Sequence, residues 1–428
     1  MRVLVVGNGG REHALVWKIA QSPQLEKLWC APGNGGTALQ AESVALGTDD
    51  LEGLAEFAAR SGVDLTVVGP EAPLAAGIRD VFDARGLRLV GPSGRAAALE
   101  ASKVFAKEFM ARHGIPTAAF RVFDHPEEAK RWVRHLGGRV VVKADGLAAG
   151  KGVLVCSAVE EAETAVDRVM AEKAFGRAGE RVVIEERLEG PEVSVLALVS
   201  GETVRPLLPA MDFKRAGEND TGPNTGGMGS VAPHPLTDRR LVEEVERTVF
   251  RPVCRGLAAE GHAYEGVLYA GLMLTAAGPQ VLEFNCRFGD PETQAILPLL
   301  RSDLADLLWN LAEGRLEEGT VEWRAGACVC VVLASGGYPG PVEKGKVISG
   351  LDDVPEDRAV VFHAGTLRRG DGSVVTDGGR VLGVSALGPD VASAAERAYS
   401  AVECIRFEGL ELRRDLGDRV AQASGRGR

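Results

Sequence analysis

Residues 3–6 read Val-Leu-Val-Val, residues 64–68 Asp-Leu-Thr-Val-Val and residues 87–90 Leu-Arg-Leu-Val. Each is short and mostly apolar, and each ends on glycine: Gly7, Gly69-Pro70 and Gly91-Pro92. A strand that is apolar on both faces must be covered on both faces, which is the situation of a parallel sheet flanked by helices. An amphipathic stretch at residues 14–19 follows the first glycine turn, as a strand–turn–helix unit requires. The start of the chain is therefore predicted to be an open α/β domain with ligands at the carboxyl ends of its strands.

Further along, the pattern changes. Residues 139–144 and 153–156 are two strand-like runs joined by a Gly/Ala loop, flanked by helical patterns at 126–136 and 158–172 and a strand at 181–185. Residues 193–199 with 203–210, and 266–274 with 280–285, read as two further hairpins, with helices predicted at 238–260 and 292–313. Strands at 328–333, 359–363 and 380–385 and a helix from Val391 form a last unit, and Ser424 begins a frayed tail. The predicted division is residues 1–102, an N-terminal α/β domain; 103–120 plus 191–323, a central domain; 121–190, a small flap domain; and 324–428, a C-terminal domain of mixed α/β character.

A chain of 428 residues with 54 glycines is unusually glycine-rich, about 13% against a typical ~7%. Of these, 17 fall in segments 7–10, 33–36, 145–152, 221–229, 289 and 336–340. Such loops let backbone approach a ligand closely. The formal charge of −11 excludes general nucleic-acid binding, which needs a basic face. The basic residues are 38 Arg and only 11 Lys, yet Lys103, Lys143, Lys151 and Lys214 all fall in the motifs below. A compact ammonium suits phosphate and is not interchangeable with Arg. The seven cysteines include no C-x-x-C pair, which predicts reduced thiols and a cytoplasmic location. No apolar run is long enough to span a membrane.

Five motifs carry chemistry. The turn Gly7-Asn-Gly9-Gly10-Arg11-Glu12-His13 opens a helix and resembles a phosphate cradle, with Arg11 as a guanidinium grip. It breaks the dinucleotide fingerprint, which needs G-x-G-x-x-G and a later acidic residue. The loops at Asn34 and at Pro70-Glu71 leave neighbouring strands. In Lys143-Ala-Asp-Gly146-Leu-Ala-Ala-Gly150-Lys151-Gly152, small residues and two lysines suit a polyphosphate, but the spacing and the flanking strands are not those of a P-loop. Glu185-Glu186-Arg-Leu188-Glu-Gly-Pro-Glu192 is an acidic strand exit suited to nucleoside hydroxyls, and read alone also an ordinary charged turn. Asp212-Phe-Lys214, followed by Asn224-Thr225-Gly226-Gly227, makes a donor-rich loop fit for a small zwitterion. In Leu282-Glu283-Phe-Asn285-Cys-Arg287-Phe-Gly-Asp290, strand alternation puts Glu283, Asn285 and Arg287 on one face and Leu282, Phe284 and Cys286 toward the core. A carboxylate and an amide oxygen are hard ligands that suit Mg2+.

Together these segments resemble the ATP-grasp superfamily and, within it, the phosphoribosylamine–glycine ligase family. GNGGREHAL, APGNGGT, VGPEAPL, VKADGLAAGKGV, DTGPNTGGMG, EFNCRFGDPETQ, ASGGYPG and FHAGT carry the likeness over essentially the whole chain. The resemblance implies an ATP-grasp fold preceded by the open parallel α/β domain. It implies an enzyme that joins glycine to 5-phosphoribosylamine with ATP through a glycyl phosphate. Lys103 and Lys143 would hold phosphate, residues 146–152 would cover it, and Glu185, Glu186 and Leu188 would meet adenine. Glu192 would meet the ribose. Glu283 and Asn285 would hold Mg2+ or Mn2+, and Arg287 would stabilise the transition state with Asp212 and Lys214 beside it. Gly9, Gly10, Arg11, Glu12, Pro70, Glu71, Asn224, Thr225, Gly226, Gly227 and Asp290 would line the substrate side. The implied partners are small molecules only, with the chain a monomer or weak homodimer. The rivals are an NAD(P)-dependent oxidoreductase built on the first glycine turn and a nucleotide sensor without catalysis.

Overall fold

The computed structural model describes residues 1–147, 152–355 and 357–426. The first sheet is parallel throughout, in the order β3-β2-β1-β4-β5, from β1 (Arg2–Gly7), β2 (Lys27–Pro32), β3 (Glu42–Ser43), β4 (Leu65–Val68) and β5 (Leu89–Val90). Val3, Leu4, Val5 and Val6 are all buried, as a strand covered on both faces must be. The helix Gly10–Ile19 follows β1 directly.

A four-stranded antiparallel sheet holds β6 (Phe120–Phe123), β7 (Val140–Ala144), β8 (Val153–Val155) and β9 (Val182–Glu186), in the order β6-β9-β7-β8. A second holds β10 (Glu192–Ser200) and β11 (Thr203–Pro206), which then meet a later hairpin. After β12 (Met211–Asp212) comes a small isolated hairpin, β13 (Arg215–Gly217) with β14 (Thr221–Asn224), and then β15 (Gly229–Ala232). The later hairpin is β16 (Glu265–Thr275) with β17 (Gly278–Asn285), giving the order β11-β10-β16-β17. Its apolar face packs Phe284, Val281 and Leu268 against Phe109 of helix Lys103–His113 and Phe250. The last large sheet runs β12-β15-β18-β23-β20, with β18 (Ala327–Ser335), β20 (Ala359–His363) and β23 (Arg380–Gly388), while β19 (Val347–Ile348), β21 (Thr366–Arg368) and β22 (Val374–Thr376) form a small sheet beside it. Because β12 and β15 belong to the segment before β16, this sheet binds the C-terminal unit to the central one. None of the seven cysteines forms a disulfide.

Four details differ from the sequence expectation. The helix predicted at 292–313 is two pieces, Glu292–Ile296 and Leu304–Ala312. Pro298 interrupts the backbone ladder, and Asp303 caps the second piece by accepting the amides of Ala305 and Asp306. The helix predicted at 238–260 runs from Arg239 to Ala259 with one wide turn at Glu246–Phe250. The tail predicted to fray from Ser424 continues a helix, Leu416–Arg426. Leu282 does not face the core. The β16–β17 register pairs Leu272 with Val281 but Gly271 with Glu283, so Leu282 is the extra residue of a β-bulge. Val281 takes the core position and Leu282 lines the cavity described below.

The first and last units meet at His13 and His363, whose rings lie 5.5 Å apart. The amide of His363 donates to His13 Nδ1 at 2.7 Å, so His13 is held neutral. Burial pushes His13 down to about 3 and His363 down to about 4. The unfolded chain takes up these protons near pH 6.5. Stability from this joint is therefore complete above pH 6.5 and lost as pH falls toward 4, by up to about 1.4 kcal/mol per pH unit for each histidine. Melting temperature followed from pH 7 to pH 4 will fall less steeply in His13→Gln than in the unmodified chain.

Candidate active site

A cleft of about 1230 Å³ opens where the four sheets converge. It is walled by the turn after β1, the Pro70-Glu71 turn after β4, the facing ends of β7 and β8, the exit of β9, the start of β10 and the end of β17. Of the described residues singled out from the sequence, all but Gly10 and Gly227 line it. Gly150 and Lys151 lie outside the described residues. Gly10 is a packing residue: a Cβ there would stand 2.7 Å from Gln294 Nε2. Gly227 has φ +112°, and its added Cβ would stand 2.4 Å from the Pro291 ring. It seats the donor-rich loop against the chain that leaves β17.

At the end of β17, alternation past the bulge places Glu283 and Asn285 on the cleft wall and Phe284 and Cys286 in the core. Glu283 lies 3.1 Å from Lys103, the first residue of helix Lys103–His113. That ammonium, with Lys214 and Lys143, holds the Glu283 carboxyl well below the usual range despite burial. Arg287 Nη2 donates to Asn285 Oδ1 at 3.1 Å. The same guanidinium lies 3.2 Å from Glu100 and 3.5 Å from Glu71. Burial works against its charge, but Glu100 and Glu71 raise it above its ordinary value. Among the described residues no cluster of three or more His, Cys, Asp or Glu is placed to hold a metal. Glu283 and Asn285 still fit Mg2+, which takes one or two protein oxygens and completes its shell with water and phosphate.

The lysines sit across from this face. Lys143 donates to the Leu282 carbonyl at 2.9 Å, the carbonyl that the bulge turns outward. Lys143 also pairs with the buried carboxylate of Glu185, and so does Lys107. Lys107 donates to Thr117 Oγ1 at 2.7 Å, and burial pulls it down to about 8. Burial would raise the Glu185 carboxyl, but the two lysines hold it below its ordinary range. Glu185 therefore anchors lysines, and the strand exit at Glu186 and Leu188 is left to face the cleft. Lys107 escaped the sequence reading, although one rare lysine four residues after another is a signal.

On the opposite side, Lys214 pairs with Glu192 at 2.8 Å. Its carbonyl accepts from Thr225 N and Thr225 Oγ1, and Thr225 Oγ1 accepts from Gly227 N, so the loop is tied to the link between β12 and β13. Asp212 Oδ1 is buried and has no hydrogen-bond partner. Burial first, and the nearby Glu292 second, push this carboxyl well above its usual range. Ser194 Oγ bonds both Tyr269 and Glu292, fixing the second carboxylate. Arg380, from β23, donates to the carbonyls of Gly226 and Asp290 and lies 3.2 Å from the Asp290 carboxylate. Glu292 lies in the EFNCRFGDPETQ run but received no role there, and Glu100 and Arg380 belong to no motif.

The first glycine turn departs from its expected role. Gly9 N donates to Glu12 Oε2, so a side-chain carboxylate already occupies the place assigned to phosphate. Arg11 is buried, with Nε on Glu12 and Nη1 on the Phe288 carbonyl at 3.2 Å. It ties the first unit to the segment after β17 and lines the cleft together with Asn8, Glu12, Glu71 and Asp290.

Comparison with known proteins agrees over the whole length. Residues 1–100, 101–293 and 328–419 match the family models for the N domain, the ATP-grasp (A) domain and the C domain of phosphoribosylglycinamide synthetase. The phosphoribosylamine–glycine ligase of Nostoc sp. is 52% identical over 424 residues, covering 98% of this chain and 100% of that protein. That of Vibrio cholerae is 51% identical over 423 residues, covering 98% of each. The crystal structure of phosphoribosylamine–glycine ligase from Thermotoga maritima is similar at a TM-score of 0.85 and 36% identity, covering 97% of this chain and 100% of that one. The biotin carboxylase domain of Hydrogenobacter thermophilus 2-oxoglutarate carboxylase, in complex with MgADP, shares the fold at a TM-score of 0.75 and 17% identity. With family models over all three parts and relatives half identical along the full length, the chain belongs to the phosphoribosylamine–glycine ligase family of ATP-grasp ligases.

Proposed function

We propose that the cleft joins glycine to 5-phosphoribosylamine, with ATP converted to ADP and phosphate, and that the residues above divide the task by charge. The observation that carries this is their arrangement. Lys103 and Lys143 face the hard oxygens of Glu283 and Asn285, and beyond them lies the unpartnered carboxylate of Asp212. The first group suits a polyphosphate with a divalent cation, and the second an ammonium. Glycine carries such an ammonium, which would satisfy Asp212 Oδ1 and offset the repulsion from Glu292.

In this reading ATP lies along the β9 exit, with adenine near Glu186 and Leu188, the ribose near Glu192 and the phosphates between Lys103 and Lys143. Glu283 and Asn285 would hold Mg2+ or Mn2+, which when bound supplies positive charge to the phosphate oxygens. Glycine, held by Asp212, presents a carboxylate oxygen to the γ-phosphorus, and the bond to ADP breaks. Lys103, Lys143 and Arg287 stabilise the charge that spreads over the transferring group, a mainly positional and electrostatic catalysis. The amine of phosphoribosylamine, near Gly9, Glu71 and Asp290, then attacks the acyl carbon of glycyl phosphate, phosphate leaves, and the nitrogen loses a proton. No side-chain nucleophile is needed. An oxidoreductase would use the first glycine turn for a dinucleotide, but Glu12 fills it. A sensor would leave the Glu283 face without purpose. In the same reading the chain acts in the cytoplasm as a monomer or weak homodimer.

ADP release will require glycine, phosphoribosylamine and Mg2+ together; ADP formed without glycine, or none at all, overturns the assignment. Glu283→Ala will lower kcat by about a thousandfold, the upper range for losing one such charge contact, with the melting temperature nearly unchanged. Deprotonation of Lys107 above about pH 8 leaves Glu185 to a single lysine. The profile of kcat/KM for ATP will therefore fall on its alkaline side near pH 8, and Lys107→Met will lack that limb.

A further inference from the structure

The side chain of Arg413 is completely buried, the largest such group in the described chain, and it stands outside every motif used above. Its guanidinium meets Asp415 through two parallel bonds of 2.8 Å. Its remaining donor, Nη1, leaves the C-terminal unit: it reaches Asp220 Oδ1 at 2.9 Å and the Arg215 carbonyl at 3.3 Å. The guanidinium also lies over the ring of Phe213, 5.1 Å from its centroid. Phe213 stands between Asp212 and Lys214.

These contacts are part of a longer seam. Asn219 N donates to Asp415 Oδ2 at 2.8 Å, Arg414 N donates to Glu218 Oε1 at 3.2 Å, and Arg419 pairs with Asp220. Residues 413, 414, 415 and 419 thus grip residues 213, 215, 218, 219 and 220. The strap itself is fixed to the C-terminal core: Leu416 is buried there, and Tyr399 OH bonds both Arg413 O and Leu416 N. What it grips has little support of its own. The β13–β14 hairpin pairs with no other strand, and its tip, residues 218–223, is exposed. A lone two-stranded hairpin is marginal in water. Asn219 and Asp220 both have φ +56°, a conformation that Asn and Asp tolerate but that needs local contacts to persist.

We propose that Arg413 is a positioning residue for the cleft: through Asp220 and Phe213 it holds the hairpin, and with it Asp212, Lys214 and Asn224, in the geometry that receives the amino-acid substrate. The claim that this substrate is glycine rests on the function proposed above. The seam lies on the Asp212 side of the cleft and touches none of Lys103, Lys143 or Glu283, so its loss acts mainly on the amino-acid substrate, and reaches the nucleotide only through the pair of Lys214 with Glu192.

The test uses the full chain and two substitutions. Asp220→Asn keeps the backbone preference for positive φ and leaves the buried Arg413 neutralised by Asp415, while Arg419, which is partly exposed, loses its ion pair. Arg413→Lys keeps the charge and loses the fork. In both, amide hydrogen exchange over residues 213–224 will rise about tenfold, the low end for losing one charged hydrogen bond, while β18 and β23 keep their protection. KM for glycine will rise about tenfold, KM for ATP will stay within about twofold, and the double substitution will be no worse than the weaker of the two singles, as groups in one network are not additive. Unchanged exchange at 213–224, a rise spread over the whole chain, or equal effects on glycine and ATP each overturn the proposal. If the unmodified chain releases no ADP with glycine and phosphoribosylamine, the functional reading fails, and the exchange result still decides whether Arg413 holds the hairpin.

Discussion

A cation withdrawn from water must find an opposite charge, and a cleft built for phosphate is crowded with cations. In this structure most of them meet a carboxylate supplied by another part of the chain. Lys103 meets Glu283, Lys143 and Lys107 share Glu185, Lys214 meets Glu192, Arg287 lies between Glu71 and Glu100, and Arg380 holds Asp290. Most partners come from different elements of the fold, so the pairs that let the cleft exist without ligand also stitch its walls together. An incoming polyphosphate competes with these carboxylates rather than entering an open positive field, which favours a ligand that arrives with its own divalent cation.

The bulge at Leu282 is the geometric counterpart of that charge balance. One extra residue in β17 leaves Val281 in the core and turns Leu282 and its carbonyl to the cleft, where Lys143 is fixed. Glu283 and Asn285 then resume the alternation on the cleft side, with Phe284 and Cys286 beneath them in the core. The same strand therefore anchors the central unit and presents the side-chain oxygens of Glu283 and Asn285 to the cleft, and neither task can shift without the other.

Much of the site was legible because it lies in local motifs. Lys143 with Gly146, Asp212 with Lys214, and Glu283 with Asn285 stood out as residue types improbable for plain strands or turns, and the structure gathers them on one cleft. What escaped notice depends on partners far away in sequence. Lys107 is an unremarkable helix lysine until Glu185 is beside it, and Arg380 is an ordinary strand residue until the Gly226 and Asp290 carbonyls meet it. Arg11 and Glu12 also have partners that their motif does not announce. A glycine turn with an adjacent arginine reads as a phosphate grip, but the capping carboxylate fills the turn and Phe288 takes the guanidinium. The broken helix after Glu292 carried a visible mark in Pro298, which the apolar periodicity around it concealed.

The sequence alone determined the strand–turn–helix character of the first unit, the hairpins and the chemical classes of the loops, because these follow from backbone sterics and from periodicity within a few residues. Only the tertiary structure decided which carboxylate neutralises which cation, which face Leu282 takes, and that a buried arginine near the C-terminus supports a hairpin two hundred residues earlier. Charge pairing and register are settled by distances in space, and burial makes those distances energetically decisive.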